Sequence, residues 1–181
     1  SGSVSPTTAD QITWSTANGF AGIALDATLI CQGEDGMQKI IAQGVERSVE
    51  ALSQGLDPLV FTAAGPDDPA VSKFREAVAA ADMKMSDANR LVGEILGRVL
   101  HATLSKTGVR RAVVSGGDTS GFATQQLGIY ALSALAPTIP GASIFRAHAD
   151  GPMDGLELAL KGGQMGSPDY FGWVRDGGGQ R

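Results

Sequence analysis

The chain has 181 residues, 43% of them hydrophobic and 18% charged, with a net charge of −5. That profile describes one globular domain, excludes a disordered chain, and leaves no basic footprint for DNA or RNA. A single cysteine, Cys31, rules out an intramolecular disulfide and a cysteine-built zinc site and suits a reducing cytoplasm.

Ser1 to Thr8 form a small, hydroxyl-rich loop with no basic or apolar leader. The loop opens without methionine in the middle of what looks like a motif, so the chain reads as a fragment of something longer. Thr7 or Thr8 is placed to cap a helix over 9–18, which Gly19 stops, and a short strand follows over 20–25. Met37, Ile40, Ile41, Val45, Val49 and Leu52 recur at spacings of three and four, predicting a helix over 36–54 closed by Gly55. Leu59-Val60-Phe61-Thr62 is the next strand. Asp67-Asp68-Pro69 then caps a short helix; a metal pair there is the lesser alternative, because adjacent side chains diverge.

The clearest helix covers 87–104, with Leu91, Ile95 and Val99 beside Val92, Leu96 and Leu100, a stripe wide enough to lie on a sheet. His101 near its end suits a solvated or dipole-compensating role, and Gly108 terminates the helix. A strand over 109–115 then runs into Gly116-Gly117-Asp118-Thr119-Ser120-Gly121. Strand, glycine-rich turn and capped helix start, with the helix over 119–127, expose backbone N–H groups at the positive end of a helix, where a phosphate is favoured. The plain alternative is a tight turn. The spacing matches neither a Walker loop nor the dinucleotide fingerprint, and Ser120 falls one place too late for a nucleophile elbow.

Strands over 130–135, 142–148 and 156–160 follow, with a proline-bracketed loop over 136–141 and a turn at Gly151-Pro152. The longest uncharged stretch, 121–145, holds Gln125, Gln126, Pro137 and Pro140 and does not read as a membrane span. The last strand enters a second turn, Lys161-Gly162-Gly163-Gln164-Met165-Gly166, before a short helix over 168–174 and a tail, 177–181, expected to be disordered. Ligands of open α/β sheets sit beyond the carboxyl ends of strands, so the two turns, one carrying the Lys161 cation, are expected to face each other across one crevice.

Taken together, Ser1-Gly2-Ser3-Val4-Ser5-Pro6, the 115–121 turn, Ile139-Pro140-Gly141 and the 161–166 turn resemble the C-terminal, nucleotide-binding domain of the four-carbon acid sugar kinases, in that order and over nearly the whole chain. The resemblance implies an α/β fold: a three-layer sandwich over 1–176 with a mixed, largely parallel sheet flanked by helices. It implies ATP held by Ser3, by Gly116, Gly117, Asp118 and Thr119, and by Gly163, with Mg²⁺ balancing charge. Val4 stands where the family often has cysteine, and Gln164-Met165 where it often has Asn-Phe, so the lining near the base is expected to differ. The family's N-terminal sugar-acid domain, with its Asp-Asp-x-Thr-Gly motif, is not matched here.

The expectation is therefore the ATP-binding half of a cytoplasmic kinase for threonate-, erythronate- or oxo-tetronate-type acids. The expected partners are ATP or ADP and the N-terminal domain of the same protein, with a homodimer left open and no nucleic acid or membrane. The catalytic base is not identified; it and the acceptor site belong to the other domain, and this chain alone transfers nothing. Asp118 serves equally as a helix cap or as a water-mediated ligand of Mg²⁺. The alternatives are a non-catalytic nucleotide-binding or interaction module and a hydrolase using Ser120, His148 and Asp150.

Overall fold

The computed structural model describes residues 1–178 and is a mixed α/β fold with helices on both faces of its strands. In chain order the elements are α1 (Pro6–Thr16), β1 (Phe20–Ala24), a 3-10 segment (Ala27–Gln32), α2 (Glu34–Ser53), β2 (Asp57–Phe61), α3 (Pro69–Ala80) and α4 (Met85–Thr107). They continue with β3 (Arg111–Ser115), α5 (Gly117–Gln126), β4 (Ile129–Pro137), β5 (Ser143–Ala149), β6 (Glu157–Lys161) and α6 (Tyr170–Arg175).

The strands form two groups, β1-β2 and β3-β6-β5-β4. β1 pairs with β2, and β3 with β6, in parallel, whereas β5 is antiparallel to both of its neighbours. The antiparallel share is larger than the sequence suggests. The reason is that β4 reaches β5 through the tight 138–142 turn, closed by Thr138 N–H to Ala142 O at 3.1 Å, and needs no crossover helix.

Strand alternation sends side chains to two faces, which together hold three apolar clusters among the described residues. On one face Ile23 and Leu25 meet Ile40, Val45, Ile95 and Val99 of α2 and α4, and Leu158 meets Leu104 of α4 and Leu127 just past α5. On the other, Leu59, Phe61 and Ala159 pack on Ile12 of α1 and on Tyr170, Phe171 and Val174 of α6. Leu158, Val174 and Ala159 have no exposed surface, and burying a side chain the size of Leu158 contributes about 1.5–3 kcal/mol.

Element ends follow local chemistry. Ser5, not Thr7 or Thr8, caps α1: its hydroxyl accepts from Thr8 N–H at 3.2 Å and Pro6 takes the first helical position, where no N–H is needed. Asp68 caps α3, its carboxylate accepting from Ala70 N–H at 2.9 Å and Ala64 N–H at 2.8 Å. These bonds hold the Asp68 carboxyl below its ordinary value. Gly108 ends α4 as expected, its N–H reaching Leu104 O. Of the tail, Gly177 and Gly178 close α6 with N–H donations to Val174 O and Trp173 O; 179–181 lie outside the described residues.

Candidate functional site

β3 and β6 are parallel neighbours in the register Ser115↔Lys161, so the turns that leave them emerge side by side at one edge of the sheet. Gly116 N–H donates to Lys161 O at 3.0 Å, joining the two turns, and Gly2 N–H donates to Ser115 O at 3.3 Å, laying the opening loop across them. Three segments far apart in sequence thus meet where a doubly wound sheet carries its ligands.

Hydroxyls latch this junction. Ser5 Oγ and Thr8 Oγ1 both donate to Gly163 O, at 2.6 and 2.7 Å, and Ser3 Oγ lies within hydrogen-bond reach of both, at 3.3 and 3.1 Å. Gln11, fully buried on α1, donates from Nε2 to Met165 O and Ser167 O. A Cβ on Gly163 would drive into the Ser3 side chain, 2.8 Å from its Cβ, so residue 163 has no room for one. Gly116 is glycine for another reason: its φ of +122° is a conformation that side chains rarely tolerate.

Gly116 is also the N-cap of α5, with no side-chain cap, and the helix begins at Gly117 rather than at 119. Asp118 is therefore not the cap but an exposed residue of the first turn, while Thr119 is buried beneath it. Ser120 N–H returns to Gly116 O, which leaves the N–H groups of Gly117, Asp118 and Thr119 at the helix start as the groups that an α-helix cannot satisfy internally. A Cβ on Gly117 would meet nothing within 4 Å, so the space above this turn is open.

That space is a cleft of about 640 Å³ into which Ser3, Gly116, Gly117, Asp118, Thr119 and Gly163 all face. Val4 and Gln164 line it too; Met165 instead packs across Gly141 and Gly162. The opposite wall, from α3 and the start of α4, was not legible from motifs: it brings Phe74, Arg75 and Asn89. Arg75, not Lys161, supplies the cation. Lys161 shares strand parity with Ala159 and so points to the α6 face, buried, with its ammonium donating to Gly162 O and lying 5.8 and 5.7 Å from the Tyr170 and Phe171 ring centres. Desolvation lowers its pKa to about 8.

The remaining candidates lie elsewhere. Ser120 Oγ donates to Gly116 O within its own helix, and His148 Nε2 pairs with Ser133 Oγ at 2.8 Å, so the hydrolase triad is not assembled. No group of three or more His, Cys, Asp or Glu side chains among the described residues could hold a metal ion, and Asp68 is committed to its cap. Ile139-Pro140-Gly141 borders a separate hollow with Tyr170 and Trp173. No helix among the described residues is long and apolar enough to cross a membrane.

The sequence model of the nucleotide-binding C-terminal domain matches residues 1–171. The chain belongs to this domain family. Among curated relatives, a 3-oxo-isoapionate kinase of Paraburkholderia graminis is 43% identical over 98% of this chain and 38% of that protein. A 3-oxo-tetronate kinase of Cupriavidus necator is 30% identical over 94% of this chain and 35% of its own length. The chain thus spans little more than a third of these relatives. Among solved structures, a Haemophilus influenzae protein superposes with a TM-score of 0.74 at 21% identity over 97% of this chain and 39% of that one. A Bordetella bronchiseptica domain of unknown function, solved with bound citrate as a domain-swapped dimer, gives 0.68 at 18% identity over 95% and 38%. At these identities the structures speak for the fold.

Proposed function

We propose that this chain is the ATP-binding half of a kinase acting on small sugar acids of the 3-oxo-tetronate type, and that the nucleotide phosphates sit on the 116–119 turn. The observation that carries this is the convergence of the two glycine turns and the opening loop on one cleft, roomy above Gly117 and edged by the free N–H groups of a helix start. Backbone N–H groups at a helix N-terminus stabilise phosphate oxygens without a charged side chain, which suits a chain of net charge −5.

In this arrangement the N–H groups of Gly117, Asp118 and Thr119 receive phosphate oxygens, and the absence of side chains at Gly116 and Gly117 lets the phosphates reach the main chain. Ser3 and Gly163, fixed by the hydroxyl latch, form the facing rim, and Arg75 offers charge from the far wall. The exposed Asp118 carboxylate at the cleft fits Mg²⁺ held mainly by phosphate oxygens and water, and the ion would neutralise charge on the transferred phosphoryl group. The residues that bring the acceptor hydroxyl in line and take its proton are assigned to the N-terminal domain of the full-length polypeptide, so this chain positions nucleotide and transfers nothing alone.

The relatives' names support the substrate class. A homodimer is supported by the Bordetella dimer and by the exposed Tyr130, Leu132 and Leu135 on β4, an edge strand. A cytoplasmic setting suits the unpaired Cys31, whose thiol pKa is pushed up by desolvation. The test is phosphate transfer: full-length protein supplied with Mg·ATP and a 3-oxo-tetronate should release ADP only when the acid is present, and the 181-residue chain should release none. ADP release without a sugar acid, or none with any, would refute the kinase assignment.

A further inference from the structure

A second hollow, independent of the nucleotide cleft, runs between β2 and β3, where the two strand groups face each other without a ladder. It encloses about 250 Å³, with Leu100 and Leu104 of α4 on one face and Phe171 and Val174 of α6 on the other. Its banks are strand edges. Arg110 O and Gly116 N–H are both spent on β6, so alternation turns the backbone groups of Arg111, Val113 and Ser115 into the hollow. On the other bank Asp57 N–H and Phe61 O are spent toward β1, which turns Pro58 O and both backbone groups of Val60 inward.

Two of these groups are already met. Ser1 nitrogen donates to Val60 O at 2.6 Å and Gly2 N–H to Ser115 O at 3.3 Å, so Ser1-Gly2 makes, at the carboxyl ends of β2 and β3, the pairing of a strand lying between them. Burial and the nearby Lys161 ammonium hold the Ser1 amine down at about 5, making it at neutral pH an uncharged donor, as a peptide N–H is. In the same hollow Thr103 Oγ1 and Ser115 Oγ are buried without a hydrogen-bond partner. Apolar walls and unmet ladder groups are together a poor seat for a small ligand and a good one for backbone.

We propose that this hollow is the seat of a β-strand, parallel to β2 and β3, formed by the residues of the full-length polypeptide that lead directly into Ser1. The direction follows from the contacts: traced backward from Ser1, the chain must run down the hollow toward Asp57 and Arg111. β2 and β3 each have five residues, so a strand of that length fits, with apolar side chains alternately meeting α4 and α6. It joins the two groups into one continuous sheet in the order β1-β2-new strand-β3-β6-β5-β4. It also ties the 1–5 loop, and with it one rim of the cleft, to the sheet centre. The curated relatives, of which this chain spans 38% and 35%, have the length to supply it.

Amide hydrogen exchange on full-length protein and on the 181-residue chain tests this. The N–H groups of Val60 and Val113, referenced to Val114 whose N–H faces β6, should exchange at least about 100-fold more slowly in the full-length protein. Leu100→Trp should act with opposite signs, leaving the 181-residue chain at or above its melting temperature by filling the hollow and lowering that of the full-length protein by crowding the strand. Equal exchange in the two proteins would overturn the assignment. So would protection in the 181-residue chain that grows with its concentration, which would make the occupant a second copy, or Leu100→Trp destabilising both proteins alike.

Discussion

The two turns that edge the cleft look alike in sequence, each a pair of glycines after a short apolar strand, yet they are glycine-rich for different reasons. Gly163 is small because Ser3 stands against it, and Gly116 because its backbone adopts a φ of +122°. Gly117 answers to neither constraint: a side chain there would strain nothing and touch nothing. Two of the glycines therefore serve the architecture of the cleft, and the third is the one the proposed function gives to the phosphates.

Substitutions can break this division in order of size. Gly163→Ala puts a methyl 2.8 Å from Ser3 Cβ, a contact that side-chain rotation cannot relieve, and should cost about 3 kcal/mol in urea unfolding while loosening the 1–5 loop. Gly116→Ala should cost about 2 kcal/mol through backbone strain, with its Cβ also 2.9 Å from Thr119 Oγ1. Thr8→Val removes one of the two hydroxyls on Gly163 O while keeping the shape of a buried side chain, and should cost about 1 kcal/mol. If Gly163→Ala proved as mild as Thr8→Val, the close approach of Ser3 would not be what keeps residue 163 small.

The smallest effect lies away from the turns. Because hydrogen bonds from Ala64 and Ala70 depress the Asp68 carboxyl, its contribution to stability is fully present above the ordinary value of 3.8 and is lost as pH falls through the lower folded value. Asp68→Asn should flatten that part of the acid unfolding curve, and an unchanged curve would deny Asp68 its role at the start of α3.

Much of this was legible in the chain itself. The helical stripe of Leu91, Ile95 and Val99, the stop at Gly108 and the strand entering Gly116-Gly117 follow from periodicity and turn chemistry, and the six predicted site residues do share one cleft. Helix starts were less legible where two caps compete. Ser5 beats Thr8 because Pro6 fixes the first helical residue, and bare Gly116 displaces Asp118 because the turn's backbone geometry excludes a side chain. The orientation of Lys161 was available from its parity with Ala159 on β6, whereas Arg75 and Asn89 reach the cleft only through the packing of α3 and α4, which no local pattern encodes.

The central claim rests on Gly117, where the architecture asks for nothing. Calorimetric titration of the 181-residue chain with Mg·ATP, beside a Gly117→Val variant, tests it most directly. The variant should keep its unfolding free energy within about 0.5 kcal/mol and lose at least about tenfold in affinity, some 1.4 kcal/mol. Equal affinity in the two proteins would contradict it and move the phosphates off the 116–119 turn.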